Sequence, residues 1–120
     1  MAISNFTHGD TKEYNLTFSK SGAAYDITAH TIYMTFKTDN ALADNAGFPN
    51  VYQATGTITD GPNGLATVTL PSDQTKQLTA GAKYFYDIQI HDGSTPTVVS
   101  TIEAGTITVV AGTTLTDGNP

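Results

Sequence analysis

Nine consecutive residues, Lys83-Tyr84-Phe85-Tyr86-Asp87-Ile88-Gln89-Ile90-His91, restrict the fold of this chain more than any other stretch. Tyr84, Tyr86, Ile88 and Ile90 occupy alternate positions, with Phe85, Asp87, Gln89 and His91 between them. A strand points successive side chains to opposite faces, so this alternation describes a strand with one buried face and no helix. Asp92-Gly93 then supplies a turn into a second β-rich run, Thr97-Val98-Val99-Ser100-Thr101-Ile102. The pair predicts a hairpin of a core strand and its neighbour.

The same alternation recurs along the chain. Residues 11–19 set Tyr14, Leu16 and Phe18 against Glu13, Asn15 and Thr17, and Lys20-Ser21-Gly22 turns into a short segment anchored by Tyr25 and Ile27. Residues 31–38 place Ile32, Met34 and Phe36 inward and Tyr33, Thr35 and Lys37 outward. After an irregular piece at 39–50, residues 51–59 read as one strand with Ile58 as its firmest anchor. Asp60-Gly61-Pro62-Asn63-Gly64 is a strong turn, because Gly and Asn accept positive φ. Residues 65–70 turn Ala66, Val68 and Leu70 inward, and Pro71 ends that strand. Ser72 is the expected N-cap of one short helical turn through Leu78, with Asp73 near its positive end. A separate last strand is expected at 105–110, with Ile107 and Val109 inside.

Together these segments predict an all-β, antiparallel immunoglobulin-like β-sandwich of seven or eight strands with one short helical turn. The sandwich is expected over residues 11–110, between an N-terminal arm at 1–10 and a C-terminal tail at 111–120. A chain of 120 residues suits one such domain.

Composition removes several function classes. There is no cysteine, hence no disulfide, no thiolate chemistry and no cysteine-bound zinc. All five basic residues are lysine and the net charge is −6, whereas nucleic-acid binders need clustered Lys and Arg on phosphates and bases. Neither nucleic acid nor membrane is therefore an expected partner; no apolar run approaches the roughly 20 residues that span a bilayer. The first residues, Met1-Ala2-Ile3-Ser4-Asn5-Phe6, have neither the basic region nor the apolar stretch of a secretory signal.

Candidate chemistry is sparse. His8, His30 and His91 lie in different segments without metal-ligand spacing and read as surface or turn residues. Asp39-Asn40 and Asp44-Asn45 lack the alternating oxygen ligands of a calcium loop. The only glutamates, Glu13 and Glu103, read as exposed strand carboxylates. No nucleophile elbow, phosphate loop or dinucleotide fingerprint occurs, so neither an enzyme nor a cofactor is expected. Asp87 faces out of a central strand among aromatic residues, open either to solvent or to a partner. Exposed aromatics suit a protein interface or a sugar-stacking platform. The interface candidates are Phe6, Tyr33, Phe48, Tyr52, Phe85, Asp87 and Leu115, drawn from the two ends, the loop 39–50 and the outward strand faces.

Across residues 14–110, the chain resembles a family of tailed-bacteriophage structural proteins, the N-terminal domain of the upper baseplate protein and small related virion proteins. The resemblance rests on Tyr14-Asn15-Leu16-Thr17-Phe18, Tyr25-Asp26-Ile27-Thr28 and Ile32-Tyr33-Met34-Thr35-Phe36-Lys37. It continues through Gly56-Thr57-Ile58-Thr59-Asp60, Gly64-Leu65-Ala66-Thr67-Val68-Thr69-Leu70 and Ser72-Asp73-Gln74-Thr75 with Leu78 and Ala80-Gly81. It closes on Tyr84-Phe85-Tyr86-Asp87-Ile88-Gln89-Ile90 and Glu103-Ala104-Gly105-Thr106-Ile107-Thr108-Val109. It implies an immunoglobulin-like sandwich that builds particles, found in the virion, with no catalytic residues. The implied partners are capsid or tail subunits and further copies of the chain, as capsid decoration or as a neck or tail/baseplate component. The alternative is a host-surface glycan-binding module of a tail fibre or capsid, with Tyr33 and Tyr52 stacking on sugars. The family's baseplate proteins continue into further domains, whereas this sequence stops shortly after the sandwich.

Overall fold

The structure, a computed structural model, describes residues 3–93 and 99–111. Strands run in the order β1 (Phe6–Thr7), β2 (Lys12–Thr17), β3 (Ser19–Lys20), β4 (Ala23–Ala24), β5 (Thr31–Lys37), β6 (Val51–Thr55), β7 (Thr57–Asp60) and β8 (Leu65–Leu70). A single helical turn, α1 (Ser72–Thr75), precedes β9 (Lys83–His91) and β10 (Val99–Val110). One sheet has the order β1-β10-β9-β5-β6, a second β2-β8-β7, and β3 with β4 forms a small hairpin. Every pairing is antiparallel except that of β1 with β10. This is an all-β sandwich. Among the described residues, seven strands have four or more residues; the two-residue strands β1, β3 and β4 are additions that alternation cannot reveal.

The inward sets are those the alternation predicts. Ile32, Met34 and Phe36 on β5 and Tyr84, Tyr86, Ile88 and Ile90 on β9 are buried, as are Ile107 and Val109 on β10. Facing them, Tyr14 and Leu16 of β2 and Ala66, Val68 and Leu70 of β8 complete one continuous core. Each such side chain contributes about 1.5–3 kcal/mol by leaving water.

Three boundaries differ from expectation, each for a local reason. The predicted strand 51–59 is two strands in different sheets, because the chain crosses between layers at Gly56. A Cβ there would lie 3.1 Å from Ile32 Cβ and 3.3 Å from Val68 Cγ2, so one residue without a side chain threads between the two layers. Ile58, beyond the crossing, is only partly buried and is no firm anchor. The expected break before residue 105 is absent: β10 runs on because β9 pairs with Glu103, Ala104 and Gly105 in sequence. A bulge between Thr101 and Glu103 leaves Ile102 as the extra residue, turned outward. Finally, Ser72 is not the N-cap, and the helix ends at Thr75, short of the expected Leu78. Pro71 occupies the cap position in extended geometry, without a side-chain cap.

The expected arm is also part of the sandwich where it is described. Phe6 is buried in the core, β1 pairs with Val109 and Val110, and Asn5 Oδ1 accepts from the Thr108 N–H at 2.9 Å. The Tyr14 hydroxyl donates to the Ser4 carbonyl at 2.6 Å, and the Thr75 hydroxyl donates to the Asp10 carbonyl at 2.8 Å. Nearly all of the tail, from residue 112 onward, lies outside the described residues.

Loop 39–50, the longest irregular piece, is held at several points. Its Pro49 carbonyl accepts from the buried Tyr84 hydroxyl at 2.6 Å, and the same hydroxyl accepts from the Thr79 N–H at 2.8 Å. Tyr84→Phe is expected to lower stability by about 2 kcal/mol, because it strands a carbonyl and an N–H while keeping the packing. Urea denaturation measures the loss, and hydrogen exchange at the Thr79 amide should accelerate with it.

Candidate functional site

The outer face of β5, β9 and β10 is built by cross-strand register. Lys37, Phe85 and Thr106 form one row, and Thr35, Asp87 and Ala104 the next. Gln89 follows on β9 beside Tyr33 and Thr101. The chain leaving β5 folds back over this face as a wall. The Lys37 ammonium donates to the Leu42 carbonyl at 2.7 Å and pairs with Asp44 Oδ1 at 2.8 Å. The Ala41 N–H donates to Asp39 Oδ1 at 2.9 Å, and the Thr38 N–H donates to the Asn50 carbonyl at 2.9 Å. Sheet and wall enclose a cleft of about 580 Å³, which Asn40, Asp44, Phe85, Asp87, Gln89 and Thr106 help to line. On its β10 side the lining is Ala104, Gly105 and Thr106, with Ala104 presenting only a methyl beside Asp87.

Gly105 stands opposite Tyr86, and a Cβ there would point toward the core, in tight contact at 3.1 Å from the Tyr86 ring. Asp87 sits at the centre of the floor, half-buried. Its pKa is raised, chiefly by desolvation and then by the Asp44 carboxylate, against the opposing pull of Lys37. A carboxylate so placed destabilises the folded state once ionised. Its stabilising contribution is present below the ordinary carboxylate pKa and is lost as pH rises through the elevated value. Asp87→Asn is therefore expected to raise the melting temperature at neutral pH. The gain should disappear in melts below the ordinary carboxylate range, where the wild-type side chain is already protonated.

The seven candidate residues separate cleanly. Phe85 and Asp87 meet in the cleft. Tyr33 lies on the same outer face, its ring edge-on to His91 at 4.7 Å. Tyr52 is on the opposite face: buried, stacked on Phe36 at 6.0 Å and donating to Gln74 Oε1 at 2.5 Å. Burial, and then the Asp73 carboxylate, pushes its hydroxyl pKa up to about 12. A sugar platform made of Tyr33 and Tyr52 is thus excluded, because the sheet separates the rings. Phe48 caps the stack over Tyr52 at 5.2 Å with its outer side in solvent. Phe6 is a core residue edge-on to Phe36 at 5.8 Å, and its burial withdraws it from any interface. Leu115 lies outside the described residues.

Sequence reasoning missed Lys37, Asn40, Asp44, Ala104 and Thr106 as cleft residues. Lys37 was legible as outward-facing, but its role depends on a loop that folds back onto its own sheet. Among the described residues, no three His, Asp or Glu side chains gather as a metal site requires. His30 and His91 bond to near neighbours, the Thr28 carbonyl and the Gln89 amide, whereas His8 reaches the distant Lys76 carbonyl. Neither a family model nor a curated protein matches this chain.

Proposed function

We propose that the chain is a non-enzymatic structural module of a tailed-bacteriophage virion, an immunoglobulin-like sandwich that joins capsid or tail subunits and further copies of itself. The observation that carries this reading is the outer edge of β10. β9 covers one side of this strand, whereas β1 reaches only Val109 and Val110 on the other. Among the described residues, the strand pairing on this outer side is that of β1 at Val109 and Val110. Ile102 and Val110, both on β10, are two of four exposed large apolar side chains among the described residues, at 37% and 42%. An open, partly apolar edge is a template for adding a strand from another chain, and the bulge at Ile102 turns that apolar side chain out toward such a partner. Repetition around a symmetry axis would multiply weak contacts of this kind into a stable assembly. The likeness to the upper baseplate domain supports the same reading, as does an acidic, arginine-free composition that suits protein partners better than nucleic acid.

Mass spectrometry of gradient-purified virions tests the reading: the chain should co-purify with capsid and tail proteins at fixed stoichiometry, and its absence from particles rejects it. Ile102→Lys should leave the fold intact, since the side chain is exposed, and should reduce incorporation severalfold by placing charge on the docking edge.

A further inference from the structure

The cleft over the outer sheet face has a lining that selects among ligand classes. Its central group, the Asp87 carboxylate, accepts no hydrogen bond among the described residues, and the Asn40 amide and Thr106 hydroxyl make none. By contrast, Thr35 is engaged by Gln53 at 3.0 Å and Lys37 by Asp44 and Leu42. Donors and acceptors are therefore unspent where the floor meets the wall. An apolar ligand would leave them unsatisfied, at a cost for each. Anions meet two carboxylates and one lysine already paired, and cations meet the Lys37 ammonium within the same lining. A divalent metal would find only Asp44 and Asp87, one of them committed to Lys37.

What remains is a neutral, hydroxyl-rich molecule with an apolar side. We propose that this cleft binds a saccharide. Adjacent sugar hydroxyls donate to the Asp87 carboxylate, and the Asn40 amide and Thr106 hydroxyl bond further hydroxyls. Phe85 supplies the apolar surface against which the C–H face of the ring packs. The small Ala104 side chain, next to Asp87, lets the sugar enter from the β10 side. A volume of about 580 Å³ exceeds one monosaccharide and leaves room for a second residue or for water. The elevated pKa of Asp87 accords with this role, since ligand donors would replace the water that burial removes. The inference does not rest on the virion reading: the cleft lies on the outer sheet face and is tested on the isolated chain, although the docking edge and the cleft meet at Ala104 and Gly105.

The test titrates the isotopically labelled full chain with D-glucose, D-galactose, L-rhamnose and N-acetylglucosamine, followed by amide chemical shifts. At least one sugar should give saturable shifts at residues 37–44, 85–89 and 104–106, with a dissociation constant on the order of millimolar. Asp87→Ala and Phe85→Ala should each weaken that binding roughly tenfold, the loss of one charged hydrogen bond or one packing face. Thermal melts confirm that the variants are folded, and Asp87→Asn provides a shape-preserving second variant with an intermediate loss. Saturable shifts with none of the four sugars would overturn the proposal. So would shifts confined to other surfaces, or a response to ethanolamine without a response to any neutral sugar.

Discussion

Phe36→Ala is expected to lower stability by about 3–5 kcal/mol. Phe36 is fully buried on β5 and lies between the two ends of the chain's aromatic cluster. Phe6 meets it edge-on, Tyr52 stacks on it, and Tyr86 tilts against it at 6.5 Å. Removing the ring forfeits its transfer energy and leaves a cavity that rigid β-strands on both sides cannot close. Domains of this size have roughly 5–15 kcal/mol in total, so the variant should be partly unfolded at physiological temperature. Urea denaturation followed by tyrosine fluorescence measures it, and the midpoint should move far to lower urea with little change in slope. Phe36→Leu, which refills most of the space, should lose well under half as much. A loss for Phe36→Ala below about 1 kcal/mol would mean that the core does not join β1, β5, β6 and β9 around this ring.

Gly64→Ala is expected to cost about 3 kcal/mol, against about 1 kcal/mol for Gly22→Ala. Both glycines have positive φ, +73° at Gly64 and +79° at Gly22, so both substitutions incur the left-handed penalty of an L-residue. Only Gly64 also faces backbone. An added methyl there would collide with the carbonyl oxygens of Phe18 and Tyr25, whereas nothing lies within 4 Å of the same position at Gly22. Those carbonyls cannot retreat cheaply. The Phe18 carbonyl accepts from the Tyr25 N–H at 3.1 Å, and the Phe18 N–H donates to the Gly64 carbonyl at 2.8 Å. The difference between the two glycines in a denaturation series thus separates φ strain from steric conflict. Equal losses would show that the β7–β8 turn does not pack against the β2–β3 corner.

The contrast between those glycines is one instance of a wider division. Residue order alone determined which side chains of β2, β5, β8 and β9 enter the core, because a strand's alternation is a property of its own backbone. It also determined that no thiol and no guanidinium is present, since that follows from which residues exist. It placed Phe85 and Asp87 on one outward face together. Tertiary contacts decided the rest. Phe6 belongs to a two-residue strand too short to show a period, and its burial depends on Val109 a hundred positions away. Tyr52 turned inward because β6 pairs with β5 so that it stands opposite the core residue Phe36 and stacks on it, a pairing with a distant strand. Asn40 and Asp44 became neighbours of Asp87 only when Lys37 drew the loop over the sheet. Alternation is set by bonds between adjacent residues, whereas layer crossings, open edges and clefts are set by contacts between distant ones.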